Sequence, residues 1–173
     1  MIQIQPLGNV NEELIKWLAE ELGRKFATTV RVLPPKDIPR ACFDNTRRQF
    51  NSTCILFSYK AEEVTLLVTS EDIYAQGMNF VFGEAEIRGK RAIVSYYRLQ
   101  NRDEEIFRHR VLKEAVHELG HVFGLFHCKT SGCVMNFSSS VLEVDKKSPN
   151  FCSRCLSKMK YGRFFGSEFK QNL

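Results

Sequence analysis

The sequence lacks the features that would commit it to a membrane, an export route or a nucleic acid. Its longest apolar runs, at residues 55–57 and 64–68, fall far short of the roughly 20 residues that span a bilayer. Residues 1–6 show no basic start followed by an apolar stretch, so no secretory signal is read there and a cytoplasmic location is expected. No large excess of one charge exists either. Lys plus Arg number 25 against 20 Asp plus Glu, a net charge of +5. All of it lies in residues 145–173, which hold seven basic and two acidic residues. Such a tail is too mild a bias for a nucleic-acid face, so nucleic acid is not an expected partner, and the short apolar runs exclude a membrane. The sequence leaves the oligomeric state open, with a monomer favoured. The chain has no internal repeat and no low-complexity linker. At 173 residues, 43% of them apolar and 26% charged, it has the length and balance of one globular domain.

Histidine is scarce as well, with four in the chain, but three of them (His117, His121 and His127) fall within eleven residues. Six cysteines without an export signal are expected as metal ligands or free thiols rather than a disulfide framework. Cys128, Cys133, Cys152 and Cys155 crowd into the twenty-eight residues after the histidines. Cys42 and Cys54 stand apart and are read as buried thiols.

Hydrophobic periodicity gives a coarse map. Ile2 and Ile4 share one face of a strand. Val10, Leu14, Trp17, Leu18 and Leu22 recur at helical spacing, with Asn11 as cap and Gly23 as stop. Residues 28–33 form a second strand, 34–50 a loop, and Ser52 caps a helix reaching about Tyr59. Residues 64–69, 79–85 and 91–97 are further strands, the last two joined by a turn near Gly89. Asp103 opens the strongest helix, with no proline from Glu104 to about Phe123. The pattern predicts an α+β fold, a sandwich of a mixed sheet with helices on it.

The segment His117-Glu118-Leu119-Gly120-His121-Val122-Phe123-Gly124-Leu125-Phe126-His127 carries the chemistry. Histidines four apart share one helix face and aim two imidazoles at one ion. Gly124 can take positive φ, which lets the chain leave the helix sharply and return His127 as a third ligand. Catalytic zinc keeps three protein ligands and an open position for water. Glu118, rotated about 100° from His117, is placed to take the proton of a zinc-activated water as general base. With four histidines in the chain, the five fixed positions H-E-x-x-H-x-x-G-x-x-H would arise by chance roughly once in 10⁵ such sequences.

This segment resembles the signature of the metzincin metallopeptidases, with Met135 in Cys133-Val134-Met135-Asn136 as the candidate Met-turn residue. With Cys128 directly after His127, Cys133 before Met135, and Cys152-Ser153-Arg154-Cys155 closing the set, the chain is identified as a member of the archaemetzincins. The resemblance implies a metzincin-like twisted sheet with an antiparallel edge strand, an active-site helix and a small lower subdomain. It implies two zincs per chain: a catalytic one on His117, His121 and His127, and a structural one on Cys128, Cys133, Cys152 and Cys155. Four thiolates do make a closed tetrahedral site. The chain is then one metallopeptidase domain over 1–173, with an upper part of about 1–125 and a zinc-stapled lower part of about 126–173 that has little core of its own. Gly124 and Met135 are structural supports. The expected edge strand, where an extended peptide or protein substrate would pair, is 79–85. His109 is read as a surface or core residue, and Phe164, Phe165 and Phe169 as packing or contact residues of the tail.

The expected function is zinc-dependent hydrolysis of peptide bonds. Two other readings compete with it. A metal-dependent endoribonuclease can space three zinc-binding histidines in the same way, but Glu118 and the four cysteines count against it. A non-catalytic zinc-binding module could present the cleft to peptide partners.

Overall fold

The computed structural model describes residues 1–159; Phe164, Phe165, Phe169 and the rest of 160–173 lie outside the described residues. The fold is α+β, with two sheets and five α-helices among the described residues. Strands β1 (Ile2–Leu7), β2 (Val30–Val32), β5 (Val64–Thr69), β7 (Gly83–Ala85) and β8 (Arg91–Ser95) form a sheet in the order β2-β1-β5-β8-β7. All its pairings are parallel except β7 with β8, which is antiparallel and places β7 at the edge. Strands β3 (Phe43–Asp44), β4 (Gln49–Asn51) and β6 (Ile73–Tyr74) make a small second sheet.

Side-chain alternation along the central strands builds two apolar layers. Ile2 and Ile4, Val64, Leu66 and Val68, and Ala92 and Val94 face the larger core with helices α1 (Glu12–Phe26) and α3 (Glu104–Val122). Leu7, Leu67 and Ile93 face the other way, onto α2 (Ser52–Ser58), where Ile55 and Leu56 cover them. Strand β5, paired on both sides and covered on both faces, is buried at all six positions.

Several boundaries differ from the sequence reading. Asn11 does cap α1, its Oδ1 accepting from the Leu14 amide at 3.0 Å, but the helix runs three residues past Gly23 to a left-handed Ala27. Gly23 serves another purpose. A Cβ there would stand 3.3 Å from the Thr28 carbonyl oxygen, so its absence lets β2 approach. The extra turn buries Phe26 against Phe123, ring centroids 5.3 Å apart. Helix α2 is capped by Asn51, which accepts from the Cys54 amide at 2.9 Å, while the Ser52 hydroxyl donates to the Tyr74 carbonyl. The expected loop at 34–50 contains β3 and the start of β4, and only the last three residues of 79–85 are strand. The Val81 amide turns instead to the Ile73 carbonyl of β6.

The cysteine reading needs a correction. Cys42 and Cys54 are not free thiols but a disulfide, with Cα atoms 5.5 Å apart. Cys42 ends the short 3-10 turn before β3, Cys54 lies in the first turn of α2, and the β3–β4 hairpin folds one onto the other within the distance a disulfide spans.

After α3 the chain adds two short helices, α4 (Val141–Lys146) and α5 (Ser153–Lys158). Val134, Met135, Val144, Cys155 and Met159 are buried in the same apolar cluster as α1 and α3, so the region after residue 126 shares the main core. Among the described residues no helix is long and apolar enough to cross a membrane.

Closing a twelve-residue separation by a disulfide is worth about 3 kcal/mol in chain entropy. C42A/C54A should therefore be less stable than wild type by about that free energy in denaturant unfolding, and a non-reducing peptide map should recover the Cys42–Cys54 pair. Unchanged stability together with two free thiols in the map would contradict the pairing.

Candidate metal centre

Helix α3 begins where its first amides find a partner: Asp103 accepts from Glu105 N at 2.9 Å and Ile106 N at 3.2 Å. Nineteen residues on, the helix ends at Val122 and the chain reverses at Gly124, whose φ of +96° lies in the region that glycine favours. The Gly124 and Arg88 amides both donate to the His121 carbonyl, and the Leu125 amide to that of Gly120. The reversal brings His127 back against the helix. The three rings stand with centroids 4.8, 5.2 and 5.0 Å apart, and their ligand nitrogens all lie within 4.8 Å of one another.

Two backbone carbonyls set the chemistry of these rings. His117 Nδ1 donates to the Val134 oxygen at 2.8 Å and His121 Nδ1 to the Leu125 oxygen at 2.7 Å. A carbonyl can only accept, so each Nδ1 carries the proton and each neutral ring keeps its Nε2 lone pair. The two Nε2 atoms face each other at 3.2 Å. Two lone pairs at that distance repel unless a cation lies against both, and the donor set of three imidazoles is one that zinc accepts. Burial holds His117 well below the ordinary histidine range, with Lys147 and His121 adding to the effect; burial lowers His121 and His127 too. All three favour the neutral form that binds a metal.

Glu118 is buried beside His117, against the edge strand rather than among the three rings. A Cβ at Gly83 would lie 2.6 Å from Glu118 Cγ and 2.7 Å from Oε1, so β7 reaches this carboxyl only because residue 83 has no side chain. Burial raises the Glu118 pKa well above its ordinary value; Glu114 adds to the rise and Lys147 opposes it. The carboxyl therefore holds a proton unusually well. Residues 77–85, Glu114, His117, Glu118, His121, His127 and 137–139 line one cleft of about 540 Å³. The cleft runs beside β7, with Phe137 at 5.2 Å from the His127 ring.

Met135 is fully buried beneath the helix. A Cβ on Gly120 would overlap its sulfur, which explains a glycine inside an otherwise strong helix.

The four sulfurs of Cys128, Cys133, Cys152 and Cys155 also gather within 4.8 Å. Cys128 Sγ lies 3.8 Å from Cys152 Sγ, and Cys133 Sγ 3.7 Å from Cys155 Sγ. Tetrahedral sulfurs about 2.3 Å from one zinc stand about 3.8 Å apart, so the spacing fits the ion and is far beyond a disulfide bond. Backbone amides point at the sulfurs: Thr130 N at Cys128 and Cys152 N at Cys133, both at 3.4 Å. Burial alone would raise the Cys152 thiol, but the Cys155 amide and neighbouring donors bring it down to about 6. Burial raises Cys133 and Cys155.

Every histidine and cysteine of the two expected ligand sets is thus brought into its set. His109 is exposed and takes no part in either. The sequence reading missed Gly83, Glu114 and Lys147. A glycine in a strand-like run was the one available signal for the first; the other two meet only through long-range packing.

The sequence pattern of peptidase family M54 matches residues 43–161. The chain is 53% identical over 160 residues to an archaemetzincin of Archaeoglobus fulgidus, covering 92% of this chain and 99% of the relative. The crystal structure of that archaemetzincin in complex with malonate superposes with a TM-score of 0.88 over 91% of this chain and 99% of its own. A structure described as a zinc-dependent peptidase from Methanocorpusculum labreanum is 30% identical, with a TM-score of 0.83 over 91% and 98% of the two chains.

The buried Glu118 carboxyl makes stability depend on pH. A carboxyl whose folded pKa is raised above its unfolded value costs stability when ionised, and the cost vanishes once pH falls below the unfolded value near 4.5. In protein whose histidine site has been emptied by chelation, E118Q should therefore melt above wild type at pH 8. The gap should close as pH falls toward 4.5. A pH-independent gap, or a less stable E118Q, would contradict this burial.

Proposed function

The chain belongs to peptidase family M54, the archaemetzincins, and is a zinc metallopeptidase; we propose that His117, His121 and His127 hold its catalytic zinc and that Glu118 is its general base. The observation that carries this is the pair of Nε2 lone pairs facing each other at 3.2 Å, each fixed by a carbonyl on its Nδ1 side. A zinc bound there supplies a Lewis acid that polarises the scissile carbonyl and acidifies a water. Glu118 takes the proton of the attacking water and returns it to the leaving amine. A carboxyl buried in the cleft wall beside the histidines is placed for both transfers.

Cys128, Cys133, Cys152 and Cys155 hold the second, structural zinc, giving two per chain. Gly124 serves by turning the chain and Met135 by supporting the rings from below. The substrate is a peptide or protein whose backbone lies along β7, in the cleft between the edge strand and residues 137–139. Residues 1–173 act as one domain and as a monomer in the cytoplasm, without nucleic acid or membrane as partner. Neither competing reading gains support: family membership points away from ribonuclease chemistry, and a binding module would not need the Glu118 carboxyl beside the histidines.

Zinc analysis and proteolysis together test the proposal. Wild type should carry close to two zincs per chain. E118A should keep both, yet lose at least about a hundredfold in the cleavage of a complex peptide mixture followed by mass spectrometry. C152S should lose one zinc and destabilise residues 126–159. Equal cleavage by wild type and E118A would refute the role of Glu118, and one zinc that survives H121A but not C152S would refute the histidine site.

A further inference from the structure

A buried ion pair adjoins the cleft and has no part in the hydrolysis described above. Lys147 Nζ lies 2.7 Å from Glu114 Oε1, with side chains only 1% and 4% exposed. Desolvation of two charges offsets much of their attraction, so such a pair is a poor source of stability. Its location is specific. Glu114 stands three residues before His117 and four before Glu118 on α3, and Lys147 also donates to the Asn136 carbonyl at 3.2 Å.

Asn136 ends a stretch in which three consecutive carbonyls are each engaged. The Val134 oxygen accepts from His117 Nδ1, the Met135 oxygen from the Cys128 amide, and the Asn136 oxygen from Lys147. This stretch therefore meets α3 twice, at His117 and, one turn earlier, through Glu114 and Lys147. Further contacts bring Lys147 to that place. Arg110 grips Asp145 at 2.8 and 2.7 Å, and Lys113 donates to the Val144 carbonyl at 3.2 Å. Positions 110, 113, 114 and 117 thus fasten 134–147 to the helix turn by turn.

We propose that Lys147, paired with Glu114, is a positioning residue for His117. It pins the Met-turn stretch so that the Val134 carbonyl faces Nδ1, which fixes the tautomer and aim of the ring. The proposal rests on the reading of His117 as a ligand, and the shell behind a ligating histidine commonly matters ten- to a hundredfold in metal affinity.

K147M alone would leave Glu114 buried and unpaired, so the test uses E114Q/K147M, which removes both charges. Two readings are taken from it. In chelator-treated protein, long-range ¹H–¹⁵N correlation at neutral pH should show His117 wholly as the Nδ1–H tautomer in wild type and as a mixture in the double variant. In titrations with Co²⁺, the visible bands of the histidine site should need ten to a hundred times more free metal in the double variant, while the thiolate charge-transfer bands of the cysteine site stay put. D145N, which breaks an outer rung but leaves Lys147 on Glu114 and Asn136, should lower the melting temperature and move both readings less than the double variant does. A double variant with wild-type tautomer and wild-type cobalt affinity would overturn the proposal and leave the pair as packing. If wild type shows no histidine-site cobalt bands, the ligand assignment fails instead, and the metal-free tautomer measurement still decides whether Lys147 positions the ring.

Discussion

Three imidazoles crowded to centroid distances of 4.8–5.2 Å do not gather on their own account, since the Nε2 lone pairs of His117 and His121 meet at 3.2 Å. Something outside the trio must hold them. Two are fixed by the four-residue spacing of α3 and by the carbonyls of Val134 and Leu125; the third arrives through the reversal at Gly124. Much of the remaining architecture serves that convergence. Strands β5 and β8 and helix α1 bury one side of α3, β7 brings its backbone against Glu118 at a glycine, and the Met-turn stretch closes the helix from below. The cleft is the side left open.

The region after residue 126 obtains its order from two sources. Val134, Met135 and Val144 extend the main core, while the four sulfurs gather at spacings suited to one zinc. Short helices of six residues, such as α4 and α5, are marginal alone; here they are fastened by the Arg110–Asp145 and Glu114–Lys147 pairs and by the cysteines at 152 and 155. A metal in the cysteine site would thus support the catalytic geometry at one remove, since Cys128 follows His127 and Cys133 precedes Val134.

The gathering of the histidines and of the cysteines was legible in the sequence because spacing maps directly onto local geometry: four residues for a helix face, a glycine for a reversal, Cys-x-x-C for two neighbouring sulfurs. Strand β5 and the start of α3 were equally readable from an apolar run and an Asp cap. What escaped depended on contacts between distant segments. Cys42 and Cys54 look like isolated thiols until β3 and β4, strands of two and three residues, fold the chain back between them. Gly23 looks like a stop, yet Phe26 finds a buried site beyond it. Lys147 reads as one charge in a basic tail, and only packing turns it inward onto Glu114. Segment 79–82 has the composition of an edge strand, but its amides and carbonyls are partly claimed by the small sheet.

The proposed chemistry requires two distinct zinc environments in one chain. X-ray absorption at the zinc edge of the fully loaded protein measures both at once. It should require a sulfur shell near 2.3 Å from a four-thiolate site together with a nitrogen and oxygen shell near 2.0–2.1 Å from the imidazole site, in about equal proportions of metal. A spectrum fitted by sulfur alone would contradict it, since the histidines would then hold no zinc.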